Sequence, residues 1–201
     1  MRTNSQFYFH VEESLLLIKM PQARVCVQND TPLLIQAGFV IHKYSNEHKE
    51  SFVFKNIPPN CGRSGEFIVE YNTGFLTTGQ DWFFLAFQCN GSAGGPHFII
   101  KPNGITDALD CLAKLGSQFG SAIAGAIAAI IAGPEAAGPA SAAAATAIAF
   151  LLNNESVAGF RAHILRDCDA NGLTVIHIQN DGRVWFESRS GQEHFPVLGM
   201  N

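Results

Sequence analysis

Along residues 24–101 the apolar positions come in short bursts punctuated by Gly, Pro, Asn and Asp. RVCVQN, LIQAGFVIHKY, ESFVFKNI, GEFIVEY, DWFFLAFQC and HFIIK each read as a strand, spaced by about 8 to 15 residues with turn signals at Pro58-Pro59-Asn60 and over 91–96. Phe52, Phe54 and Ile57 share one sense of the alternation, and Phe67, Val69 and Tyr71 another, as in strands buried on one face. Farther along, LTVIHIQ and RVWFES flank Asn180-Asp181-Gly182, and Asp-Gly between alternating runs predicts a hairpin.

Between 104 and 166 the pattern changes abruptly to Ala, Gly and Ile. Thr106 or Asp107 caps a predicted helix over 108–131 that Gly133-Pro134 stops; further helices are predicted over 140–152 and 156–165. The elements predict a single α+β domain. Its antiparallel β-sandwich-like body of about eight strands comprises a strand-rich stretch over 24–103 and a closing β-hairpin over 172–189, with an Ala/Gly-rich helical hairpin inserted before those last two strands, within 104–166.

Composition narrows the partners. The 201 residues are 47% hydrophobic and only 15% charged, against about 25% charged in an average domain, so a well-filled core and a bland surface are expected. The net charge is −4, and no run of basic residues exceeds two, which excludes a nucleic-acid partner held by phosphate contacts. The five cysteines, Cys26, Cys61, Cys89, Cys111 and Cys168, form no CxxC or zinc spacing. The first apolar run, residues 15–18, is shorter than the core of a secretory signal, so the expectation is a cytoplasmic protein with reduced thiols and unused sequons at Asn29, Asn90 and Asn154. Release without a signal peptide, or association with a membrane, stays open.

The Ala/Gly segment is the most unusual stretch. Residues 115–134 carry no ionisable side chain, and after Glu135 residues 136–154 carry none either. Twenty helical residues reach about 30 Å, the hydrocarbon thickness of a bilayer. The six large apolar residues of the first stretch supply only about −2 to −4 kcal/mol of insertion free energy, too little for a constitutive span. Gly116, Gly120, Ala124, Ala128 and Ala132 recur every four residues as a smooth ridge, beside an apolar stripe of Ile123, Ile127, Ile130 and Ile131. Such a ridge admits another backbone closely, so these residues are candidates for membrane engagement or for a homo-oligomer. The competing reading lays Ala-rich helices against the sheet, where Ala suits close packing.

Other constellations are weaker. Asp167, Asp169, Asn171 and Gly172 match half of a calcium loop, but Ile178 stands where the closing Glu belongs, so helix exit and turn are expected. His42, Glu47 and His48 fit no zinc spacing, and no metal or cofactor is expected. No nucleophile motif or phosphate-cradling loop is present, so no catalytic residues are assigned and the chain is read as non-enzymatic. Asn72, Thr77, Asp81 and Trp82 form the richest polar and aromatic cluster, a candidate site for a glycan or lipid headgroup with Trp82 as the stacking platform.

Three blocks carry a family likeness: HKYSNEHKES (42–51), VEYNTGFLTTGQDWFF (69–84) and ESVAGFRAHILRDCDANGLTVIHI (155–178). They resemble the URD-domain family of small nematode and fungal proteins, named for up-regulation when nematode insulin-like signalling is reduced. The resemblance implies a strand-rich body, an Ala-rich insertion and a final hairpin; it implies no catalytic residues. This chain has Phe83 where the family pattern has a second Trp, and an extra segment over 1–22. The expectation is a stress- or defence-type protein whose hairpin over 105–152 is stored against the sheet and released onto lipid, forming pores in the extreme case. Its rivals are a soluble lectin-like module and a self-associating structural protein.

Overall fold

The computed structural model describes residues 20–44, 48–71, 81–90, 97–99, 117–132, 148–149, 160–180 and 183–198. The strands are β1 (Gln22–Asp30), β2 (Ile35–Lys43), β3 (Lys49–Ile57), β4 (Gly62–Arg63), β5 (Phe67–Glu70), β6 (Trp82–Cys89), β7 (His97–Ile99), β8 (Arg161–Ala162), β9 (Leu173–Gln179), β10 (Arg183–Ser188) and β11 (Gly191–Leu198). The helix α1 (Ser117–Ala132) lies between β7 and β8.

The strands form two sheets. One runs β3-β2-β6-β7, with β8 beside the start of β6; the other runs β11-β10-β9-β1, with β4 and β5 on the far edge of β1. β11 links them, pairing with β10 over 191–196 and with β7 through Val197 and Leu198. The main core fills the space between the sheets, with Val25, Val27, Val40, Phe83, Leu85 and Phe186 fully buried. A second core lies outside the first sheet, where Ala37, Phe39, Ile41, Phe84 and Ala86 pack under Ala126, Ile127, Ala129 and Ile130 of α1.

That third layer explains the sequence of β2 and β6. A strand covered on both faces needs apolar residues at every position, so AGFVI and FFLAF run without alternation. The β3 strand, at the sheet edge, alternates instead. Gly38 sits where β2 is most crowded: a Cβ there would overlap the Phe54 ring and lie 2.5 Å from the Ala86 carbonyl oxygen.

Four expectations change. The body is not wholly antiparallel, because β1 pairs with β9 in parallel from Arg24 with Leu173 to Asp30 with Gln179. Among the described residues the strands number eleven, and β11 follows β10 through a tight turn into Gly191 at φ +151°. The helix expected over 156–165 is absent over 160–166, which instead holds β8 and extended chain ending in a 3-10 turn over Asp167–Asp169. The first predicted helix begins at Ser117 among the described residues. Residues 148 and 149 of the second are helical, with Ile148 against the outer core, and the rest of the expected hairpin lies outside the described residues.

Candidate functional site

The outer helix is the first candidate. Its sixteen residues include no charge, and it divides into two faces. Ala126, Ile127, Ala129 and Ile130 are buried against the sheet, whereas Ala128 and Ile131 are exposed and Ala124 and Gly125 half-buried. The predicted isoleucine stripe therefore splits: Ile127 and Ile130 face the sheet, and Ile131 is 41% exposed. Of the ridge of small residues, Ala128 is exposed and Ala124 half-buried, while the facing of Gly120 and Ala132 lies outside what is described. Ile123 lies within α1, but its side chain, like all of Gly116, is outside the described residues. Among the described residues no helix is long and apolar enough to cross a membrane.

The second candidate is a buried polar node at the start of β6. Asp81 is 1% exposed; its Oδ2 accepts from the Leu165 backbone N–H at 3.0 Å, its carbonyl from His163 N–H at 2.9 Å, and its Oδ1 lies 3.3 Å from His42 Nε2. His42 Nδ1 meets Glu50 Oε2 at 2.8 Å. Burial pulls the His42 imidazole down, but the Asp81 and Glu50 carboxylates outweigh it and hold the ring protonated above its ordinary range. Beyond Phe83, the His163 ring is 2% exposed, with Nε2 3.1 Å from Ser188 Oγ and Nδ1 3.5 Å from Glu193. There burial dominates over the nearby carboxylates and pushes the imidazole down.

Trp82 points the opposite way from Asp81. It packs with the outer core beside α1, whereas Asp81 belongs to the inner side with His42 and Phe83. The two cannot meet one ligand, and the Asp81 carboxylate is already taken by protein donors. Asn72 and Thr77 lie outside the described residues. Nearby, burial among apolar neighbours, with Lys49 adding a like charge, pushes the Lys43 ammonium down to about 8; its Nζ lies 4.5 Å over the Phe160 ring.

A third arrangement, missed in the sequence, crosses the outer face of the second sheet. The cross-strand row runs Arg63, Gln28, His177, Trp185, His194 through β4, β1, β9, β10 and β11. His177 Nδ1 lies 2.8 Å from Asp30 Oδ2 and Nε2 lies 3.1 Å from Glu187 Oε2, while Arg63 Nε donates to Gln28 at 2.6 Å. The Trp185 ring is stacked between His177 at 4.0 Å and His194 at 5.4 Å, so both of its faces are occupied. The row ties five strands together and leaves no free ring for a sugar.

The remaining motifs are structural. Asp169 accepts from Arg166 N–H at 2.7 Å and Ser190 N–H at 3.0 Å, which closes the half calcium loop on the chain itself. No metal-holding group occurs among the described residues. The sequon amide at Asn29 is fully buried and donates to the Leu33, Ile57 and Pro58 carbonyls, so it offers no glycan acceptor. Cys26, Cys61, Cys89 and Cys168 form no disulfide among the described residues.

The strands from β1 to β10, α1, and the strap from β8 to the 3-10 turn fall within residues 20–195, which match the model of a family described as up-regulated in long-lived daf-2. The chain belongs to this family. The match begins just before β1 and ends inside β11, so it takes in the parallel β1–β9 pair as well as α1. No curated protein matches the chain. The family's description, tied to a long-lived background, is consistent with a stress-related role.

Proposed function

We propose that this family member is a non-catalytic stress-response protein that acts by association, and that two copies meet through the outward row of α1. The observation that carries the reading is the exposure of Ala128, with Ala124 beside it, on a helix without a single charged residue. A solvated helix face ordinarily carries charge. A row of small residues at four-residue spacing instead lets a second helix approach closely, and a two-fold axis makes the same row serve both copies. Lipid is the weaker occupant. Sixteen residues reach only about 24 Å, and the helix has no Lys or Arg to draw it to an anionic surface. The exposed Ile131 keeps lipid as a second reading, with the helix lying on the membrane rather than forming a pore. No observation favours a glycan, since Asp81 and Trp82 face apart.

Light scattering over a concentration series tests the proposal. The wild type should rise from monomer to dimer mass, and Ala128→Glu should stay monomeric with unchanged circular dichroism. A wild type that remains a monomer throughout removes self-association. Co-sedimentation with neutral and phosphatidylserine-containing vesicles then decides the lipid reading, which falls if the protein stays in the supernatant.

A further inference from the structure

The strap over residues 160–165 touches both candidate features and is the piece of chain that joins them. At one end Phe160 is buried in the outer core with α1, its ring 5.6 Å from Phe84 and under Lys43 Nζ. At the other end His163 and Leu165 are hung on Asp81 by their backbone N–H groups, and Ser190 Oγ donates to the Ile164 carbonyl. Between them the strap adds only two residues of strand, Arg161 and Ala162, to the edge of β6. Phe160 and Leu165 are buried at its two ends, and one of its anchors between them is the buried His163.

We propose that the strap is a proton-operated latch: protonation of His163 frees residues 160–165, and with Phe160 withdrawn α1 loosens from the sheet. The device rests on the reading that α1 is the working surface, and supplies its regulation. The ring is enclosed by Phe83, Phe186 and the Ser188 hydroxyl, which solvate a cation poorly. The charged groups facing it are Glu193 from β11, Asp81 just before β6, and Asp169 from the 3-10 turn, with Arg161 two residues earlier on β8. Glu193 approaches only to 3.5 Å and is 40% exposed, while Asp81 and Asp169 are engaged by backbone donors. Burial wins over these carboxylates and lowers the proton affinity of the closed state below that of an open, solvated imidazole. Opening is therefore favoured as pH falls through about 6.5, the value of a free histidine, and the gain ends once the closed state also binds the proton. His42 has the opposite sign, but it sits on β2 between Glu50 and Asp81 and keeps both carboxylates when the strap lifts.

Hydrogen exchange on the full chain, kept dilute so that it is monomeric and corrected for intrinsic rates, reads the latch directly. Between about pH 7.5 and about pH 5.5, the described amides of 160–166 and 117–132 should gain up to about tenfold in exchange per unit of depressed affinity, while β1 and β9 stay protected. The His163→Gln variant should show no such gain. Equal responses in both proteins, or a flat wild type, overturn the latch. Should the variant not fold, NMR titration of the wild type decides: α1 amide shifts must follow the His163 ring, and independence of the two contradicts the proposal. A latch that opens in a chain that never dimerises removes the association reading alone; dimerisation with pH-independent exchange removes the latch alone.

Discussion

Single residues carry two different kinds of constraint in this molecule, one steric and one electrostatic. Gly38 has no room for a side chain between the Phe54 ring and the Ala86 carbonyl, because β2 is packed on both faces. Gly38→Ala should cost about 1 to 3 kcal/mol of unfolding free energy, read as a lower urea midpoint with an unchanged slope. His42 is bound between Glu50 and Asp81, which favour its charged form despite burial. Its contribution to stability is full below about pH 6.5 and is lost as pH rises through the elevated folded-state value. The gap in urea midpoint between the wild type and His42→Gln should therefore be widest in mild acid and narrow on the alkaline side. A gap that widens with rising pH contradicts the assignment. None of this was visible in sequence, where His42 sat beside Glu47 and His48; Glu50 is eight residues away and Asp81 thirty-nine.

At the scale of elements, the strands were legible wherever the local pattern decided them. The β9–β10 hairpin follows from alternation around Asn180-Asp181-Gly182, and Val184 does pair with Ile178. β11 was hidden by its polar start and by Pro196, which fills a ladder position opposite Arg183. The helix expected over 156–165 does not form over 160–165, the part of it that is described. Phe160 faces the outer core, and Asp81 captures the His163 and Leu165 amides, so tertiary bonds override the local period. For α1 the uncharged sequence fixed an apolar helix but not which face meets the sheet. Ile127→Ala, on the buried face, should destabilise by about 2 to 4 kcal/mol, whereas Ala128→Glu should stay within about 0.5 kcal/mol of wild type in thermal or urea unfolding. Similar losses at the two positions refute the division into inner and outer faces.

For the whole molecule, topology was the least legible level. Pairing β1 with β9 joins residues about 150 apart in the chain, and no turn signal encodes such a contact. The Gln28, Asp30, His177 and Glu187 bonds and the Trp185 stack reinforce that junction, so the two ends of the matched family region are held in one sheet. Layered on the opposite sheet, α1 touches β2, β3 and β6. The central claim proposed above is that its exposed Ala128 meets a second α1. Disulfide trapping at Ala128 tests that claim most directly. With Cys61→Ser, Cys111→Ser and Cys168→Ser in place, leaving the buried Cys26 and Cys89, Ala128→Cys under mild oxidation should form a covalent dimer, whereas Lys55→Cys on exposed β3 should not. Monomer from Ala128→Cys, or equal dimer from both positions, contradicts the account.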